Sequence, residues 1–267
     1  MRRSRLVAYV SSVFLGVVAT LTGAAAAHAT DAAATGYVAL GDSYSSGLGA
    51  GSYISSSGDC KRSTKAYPQL WAAANAPSSF HFTACAGART DDVRNGQLTP
   101  LGAGTGLVSI SVGGNDAGFG DVMTTCVTQS DSACISRINT AKAYVDTTLP
   151  GKLDAVYSAI RAKAPAAHVV VLGYPRFYKL GTTCLGLSEA KRSAINQASD
   201  HLNAAIEKRA MDHGFTFGDV RSTFTGHEIC SGSSWLHSVS WLNISESYHP
   251  TTNGQSGGYL PVFRSAA

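Results

Sequence analysis

Tyr37-Val38-Ala39-Leu40-Gly41-Asp42-Ser43-Tyr44-Ser45 joins a short apolar run to a Gly-Asp-Ser turn. Four apolar residues in a row, ended by a glycine, predict a strand buried on both faces. Similar runs recur at 80–84, at 107–112 before Gly113-Gly114, at 168–173 and at 215–220. The run at 168–173 is rich in β-branched valine, which suits a central strand. Helical patterns fill the gaps. One covers 63–75, with Leu70, Trp71 and Ala74 on one side and Pro68 in its first turn. A second runs over 135–162, broken near Pro150-Gly151, and a third from Ser188 to about His213-Gly214. A last helix is expected after Pro250. Strands alternating with helices predict an α/β chain, a three-layer α/β/α sandwich around a parallel sheet of about five strands with right-handed crossovers. No internal repeat or linker divides it.

The first 29 residues read differently. Arg2, Arg3 and Arg5 give a positive start, residues 6–21 are mostly apolar, and Ala27-His28-Ala29 is a small-x-small cleavage site. That layout predicts a signal peptide over 1–29, followed by a single domain over 30–267. An uncleaved anchor is the rival, because the apolar stretch is nearly long enough to span a bilayer. The run ends in alanines without a charged stop-transfer flank, which favours cleavage and a secreted, extracellular protein with no stable membrane span. Without the three arginines, the 21 Lys and Arg become 18 against 17 acidic residues, a net charge of +1. So near-neutral a chain excludes a nucleic-acid partner, which would need a dense basic patch.

Six cysteines remain: Cys60, Cys85, Cys126, Cys134, Cys184 and Cys230. An even number beside an export signal predicts disulfides. Sequential pairing is the simplest of about fifteen possible arrangements, and the sequence does not choose among them. No C-x-x-C pair and no HExxH helix is present, so no metal site and no cofactor are expected.

In an open parallel sheet, ligands bind beyond the carboxyl ends of the strands. Three such ends carry unusual sequence: Gly41-Asp42-Ser43, Ala86-Gly87-Ala88 and Gly113-Gly114-Asn115-Asp116. Ser43 follows a strand at the start of a helix. Its N–H and the helix start would favour an oxyanion beside the hydroxyl, although Asp or Ser at that place often only caps. Gly87 lets a backbone N–H approach a ligand, or merely makes a tight turn. Asn115 has an amide able to donate to a developing negative oxygen, or is an ordinary turn residue. His249 stands before Pro250, which keeps it out of a helix. The other histidines lie in strands, on a polar helix or in loops without a motif.

Ser43 in GDSYSSG, Gly87, Asn115 in GGND and His249 in Tyr248-His249-Pro250 resemble, in this order, the four blocks of the SGNH, or GDSL, hydrolase family. The resemblance spans nearly all of the chain beyond residue 29. With six cysteines and this length, it is similar to the secreted actinobacterial lipases, esterases and phospholipases of that family. It implies a flavodoxin-like fold and hydrolysis of carboxylic esters through an acyl-enzyme on Ser43. His249 would be the proton shuttle, and the N–H groups of Ser43 and Gly87 with the Asn115 side chain would form the oxyanion hole. The family commonly has Asp three residues before the histidine, where this chain has Glu246. Either Glu246 or the Ser247 backbone carbonyl would orient the ring, and the carbonyl is favoured. The expected partner is an ester or lipid substrate, acted on by a monomer.

A carbohydrate-ester deacetylase of the same family is the alternative. A binding module that had lost catalysis would show damage at the four positions, and none is visible. Gly47, Gly49 and Gly51 loosely suggest a dinucleotide loop but fail its spacing. No GxSxG elbow occurs. Tyr44, Tyr53, Trp235 and Trp241 are candidates to line an acyl groove, and no lid stands out.

Overall fold

The computed structural model describes residues 35–267, so the expected signal peptide lies outside the described residues. Five strands form one sheet: β1 (Gly36–Ala39), β2 (Phe80–Phe82), β3 (Thr105–Ile110), β4 (His168–Leu172) and β5 (Thr216–Gly218). All pairings are parallel, in the order β2-β1-β3-β4-β5. Tyr37, Val38, Ala39 and Leu40 are each at most 1% exposed, as expected of a strand with helices on both sides.

The helices are α1 (Ser43–Ser46), α2 (Tyr67–Asn75), α3 (Thr90–Asp92), α4 (Phe119–Thr128), α5 (Asp131–Thr147), α6 (Leu149–Lys163), α7 (Glu189–Asp212) and α8 (Leu260–Ala266). Under one face of the sheet, Tyr37 of β1 packs with Trp71 of α2 and Phe263 of α8 at ring separations of 5.0 and 5.5 Å. Across the other face α5, α6 and α7 pack on one another, through buried Ile138, Val145, Leu153, Tyr157 and Ile206.

Several boundaries differ from those expected. The helix expected from residue 63 begins at Tyr67, since Ser63 pairs with Tyr53 in an isolated bridge instead. Residues 135–162 form two helices that part at Thr148. The break falls just before Pro150, which takes a first-turn place in α6 where its missing N–H costs nothing. Helix α4 has no counterpart among the expected elements: it begins inside the glycine-rich 113–120 stretch, whose composition reads as loop.

The sheet order reverses between β1 and β3, since β1 sends the chain out to β2 and the chain returns to β3 on the other side. That switch point opens a crevice between two adjacent carboxyl ends. The first, second and third strands end next to Ser43, Gly87 and Asn115. Three disulfides join Cys60–Cys85, Cys126–Cys134 and Cys184–Cys230. The first ties down the turn before Gly87, where the Ala86 N–H also donates to the Cys60 carbonyl.

Candidate active site

Beyond Leu40 the chain turns sharply, and Gln97 clamps the turn from below. Its side chain accepts from the Gly41 N–H at 2.7 Å and donates to the Gly41 carbonyl at 2.9 Å. Asp42 then caps α1, accepting from the Tyr44 N–H at 3.0 Å. The Ser111 hydroxyl donates to the same carboxylate at 2.7 Å and the Tyr174 hydroxyl at 2.5 Å. Burial nevertheless pushes this carboxyl up to about 6, because the three donors only partly replace water around the ionised form. The cap of this turn is therefore Asp42, which leaves the Ser43 hydroxyl free to face His249. Helix α1 is one turn of four residues. A summed helix dipole is correspondingly small, and any oxyanion stabilisation here comes from the local N–H groups.

His249 Nε2 lies 2.7 Å from Ser43 Oγ. On the other side of the ring, Nδ1 lies 3.0 Å from the Ser247 carbonyl oxygen. A carbonyl only accepts, so the proton sits on Nδ1 and the Nε2 lone pair faces the hydroxyl. The Glu246 carboxylate is engaged elsewhere: the Tyr53 hydroxyl donates to it at 2.6 Å and itself accepts from the Gly49 N–H at 3.0 Å. Glu246→Ala is therefore expected to lower kcat/KM by less than about tenfold, measured on a soluble nitrophenyl ester. A collapse matching that of His249→Ala would transfer the orienting role from the carbonyl to the carboxylate.

The backbone around His249 is fixed by contacts that no motif announced. Tyr248 adopts φ +69, a left-handed conformation rare outside glycine. Its carbonyl accepts from the Tyr44 hydroxyl at 2.9 Å. His237 brackets the histidine, its N–H donating to the His249 carbonyl at 3.0 Å and its carbonyl accepting from the Tyr248 N–H at 2.9 Å. The His237 ring donates to the Gly49 carbonyl at 2.7 Å. Gly49 sits so close that a Cβ there would lie 2.9 Å from His249 Cβ. Gly49 thus serves close packing beneath the histidine, whereas Gly47 packs against Ala66 and Ser63.

Asn115 donates one amide hydrogen to the Ala88 carbonyl at 3.0 Å, which fixes the plane of the amide and leaves the second hydrogen available. Asp116 ties the same two rim segments together, accepting from the Thr90 N–H and hydroxyl at 3.0 and 2.6 Å. Gly87 has φ +78, with nothing within 4 Å of where a Cβ would stand, so its surroundings are open toward a ligand. Among the described residues neither the Ser43 nor the Gly87 N–H donates to another protein group.

Two apolar spaces meet at Ser43. An inner pocket of about 70 Å³ reaches toward Val145, Ile195 and Leu202 between α4, α5 and α7. A groove of about 560 Å³ runs from Gly87, Ser43 and His249 between α4 and the 239–248 segment. Only the groove has the size of ordinary ligand sites. Trp241 lines it, whereas Tyr44 packs inside against Tyr174 and Trp235 stacks on His227 at 3.6 Å. Tyr53 holds Glu246 and does not line it. Among the described residues, no group of three His, Cys, Asp or Glu could hold a metal ion, and no helix is long and apolar enough to cross a membrane.

Burial pulls His249 down to about 4. The imidazole is then neutral, as a base must be, throughout the near-neutral range. The final acid limb of kcat/KM is expected near pH 4, well below a free imidazole. An inflection near pH 6 belongs to Asp42 and should vanish in Asp42→Asn. The two groups act oppositely on stability. The depressed histidine loses stability for the fold as pH falls from about 6.5 to 4. The raised Asp42 gains it over about 6 to 4, so the pH–rate profile is the cleaner readout.

A buried serine–histidine pair beside spare N–H donors, at the switch point of a parallel sheet, is the layout of a serine hydrolase. The GDSL-like Lipase/Acylhydrolase family matches residues 39–256, and the chain belongs to that family. Its full length aligns with the full length of Lipase 1 of Streptomyces coelicolor at 75% identity over 268 residues. Among solved structures, phospholipase A1 of Streptomyces albidoflavus superposes with a TM-score of 0.87 at 68% identity. The extracellular lipase of Streptomyces rimosus does so with 0.86 at 66%. Each comparison covers 88% of this chain and all of the other. The chain is accordingly a carboxylic ester hydrolase, and these relatives do not favour the sugar-ester alternative.

Proposed function

We propose that the protein is a secreted lipase that also accepts phospholipids, with Ser43 as nucleophile and His249 as its base. The observation that carries this is the 2.7 Å contact between Ser43 Oγ and a histidine whose other nitrogen is tied to the Ser247 carbonyl. Ser43 Oγ attacks the ester carbonyl carbon as its proton passes to His249 Nε2. The oxyanion so formed accepts from the Ser43 and Gly87 N–H groups and from Asn115 Nδ2. Collapse breaks the bond to the alcohol, which leaves with the proton from His249. Water then gives a proton to His249 and attacks the acyl-enzyme. Release of the carboxylic acid returns the proton to Ser43.

The lipase and phospholipase names of the relatives, with the apolar groove beside Ser43, support an acyl chain lying along α4. The export-like leader over 1–29, the three disulfides and an extracellular relative support a secreted domain over 30–267. Every group of the site comes from one chain, which supports a working monomer. A nitrophenyl phosphonate tests the nucleophile: the phosphonyl group should be added at Ser43 with release of nitrophenol, and nowhere in Ser43→Ala. Turnover of nitrophenyl esters of increasing acyl length, and of a phospholipid carrying two different acyl chains, tests the substrate. A preference for acetyl esters with no phospholipid cleavage would reject the lipase reading.

A further inference from the structure

The described chain exposes seven large hydrophobic side chains, and three of them fall within four residues: Trp241 at 74%, Leu242 at 96% and Ile244 at 62%. Scattered single apolar residues need no explanation, but a cluster marks a contact surface. The cluster sits at the mouth of the groove. Trp241 and Ile244 line the space that reaches Ser43 and His249, while Leu242 projects beyond it. The segment has no charge of its own from Ser238 to Ser245. The next residue, Glu246, is turned back onto the Tyr53 hydroxyl, away from the tip. Its backbone is braced from within, with the Ser247 hydroxyl accepting from the Ser240 N–H at 2.9 Å. The tip is thus a supported, uncharged, apolar prominence continuous with the substrate path.

We propose that Trp241, Leu242 and Ile244 form a docking surface for the acyl–water boundary of a lipid aggregate, seating the groove mouth against the lipid. The partner is a lipid surface because the groove behind the tip leads to an ester-cleaving site and offers apolar walls without a charge to recruit a protein or a polyanion. The inference rests on the lipid reading above. An aromatic ring and two aliphatic side chains entering the boundary would bind by apolar transfer, not by charge. Long-chain substrate could then pass into the groove without crossing water.

The experiment uses the full protein carrying Ser43→Ala, so that phosphatidylcholine vesicles stay intact, and measures partition by sedimentation. Trp241 emission should shift to the blue on binding, and partition should persist from low to high salt. Leu242→Ser in the same background should weaken partition by at least about tenfold, as expected for one buried leucine. In the Ser43 protein, Leu242→Ser should leave turnover of dissolved nitrophenyl butyrate within about twofold, since Leu242 does not line the groove. It should slow hydrolysis of emulsified long-chain ester by about tenfold. Unchanged partition in Leu242→Ser overturns the proposal, as does binding that vanishes with salt. A parent dimer that Leu242→Ser converts to monomer, with vesicle partition unaltered, would assign the tip to self-association instead. Failure of the hydrolase reading is separate: it would appear as no turnover of the dissolved ester by the Ser43 protein itself.

Discussion

Ser43→Ala is expected to reduce kcat on a soluble nitrophenyl ester by about 10⁶-fold, and His249→Ala by a similar factor, with the fold intact. The two side chains act as one unit. Without the hydroxyl the ring has no proton to remove, and without the ring the hydroxyl stays a weak nucleophile. The double variant should therefore be no worse than either single one. Residual catalysis of about 10³ over water would remain, supplied by the N–H groups and by binding. Each measurement is a steady-state or burst assay paired with a thermal melt. Ser43 is 5% exposed and, among the described residues, its hydroxyl hydrogen-bonds only to His249, so removing it leaves no buried partner stranded except the histidine. Losses that multiplied in the double variant would mean that the two residues serve separate steps, and the acyl-enzyme scheme would fall.

The second large effect is at Asn115. Asn115→Ala is expected to lower kcat by about 10²- to 10³-fold with little change in KM, the loss of about 3 to 4 kcal/mol of transition-state stabilisation. The donor meets charge only after the carbonyl becomes tetrahedral, so ground-state binding is barely touched. The Ala88 carbonyl fixes the amide at 3.0 Å before substrate arrives, and that preorganisation makes the missing bond costly. Asn115→Asp should be at least as damaging, because it replaces a donor with an acceptor and places like charge beside the oxyanion. A rise in KM at constant kcat would instead make Asn115 a substrate-binding residue.

The strands were legible because buried parallel strands are written as local apolar runs, and each of the five expected runs overlaps an observed strand. Their ends were less so, since hydrogen bonding between neighbouring strands, not composition, decides whether Val112 or Val220 continues the ladder. Helix α4 escaped because Gly118 and Gly120 suggest a loop, whereas packing of Val122 and Met123 against the inner pocket overrides that propensity. His237, Gln97 and Tyr174 gave no local signal. Each acts through partners between 11 and 188 positions distant in the chain, for example Gln97 on Gly41 and Tyr174 on Asp42.

By itself the sequence determined the layered α/β class, the strand ends that carry Ser43, Gly87 and Asn115, and the chemistry of those residue types. Hydrophobic periodicity and turn residues are local, so they need no knowledge of neighbours in space. Only the tertiary structure decided that His249 reaches Ser43, that its Nδ1 faces the Ser247 carbonyl, and that Glu246 turns to Tyr53. Glu246 and Ser247 stand equally well placed in a linear reading, three and two positions before the ring. Which of them meets it depends on the left-handed backbone at Tyr248 and on a loop from the far end of the chain closing over Gly49, and such long-range closure leaves no local trace in composition.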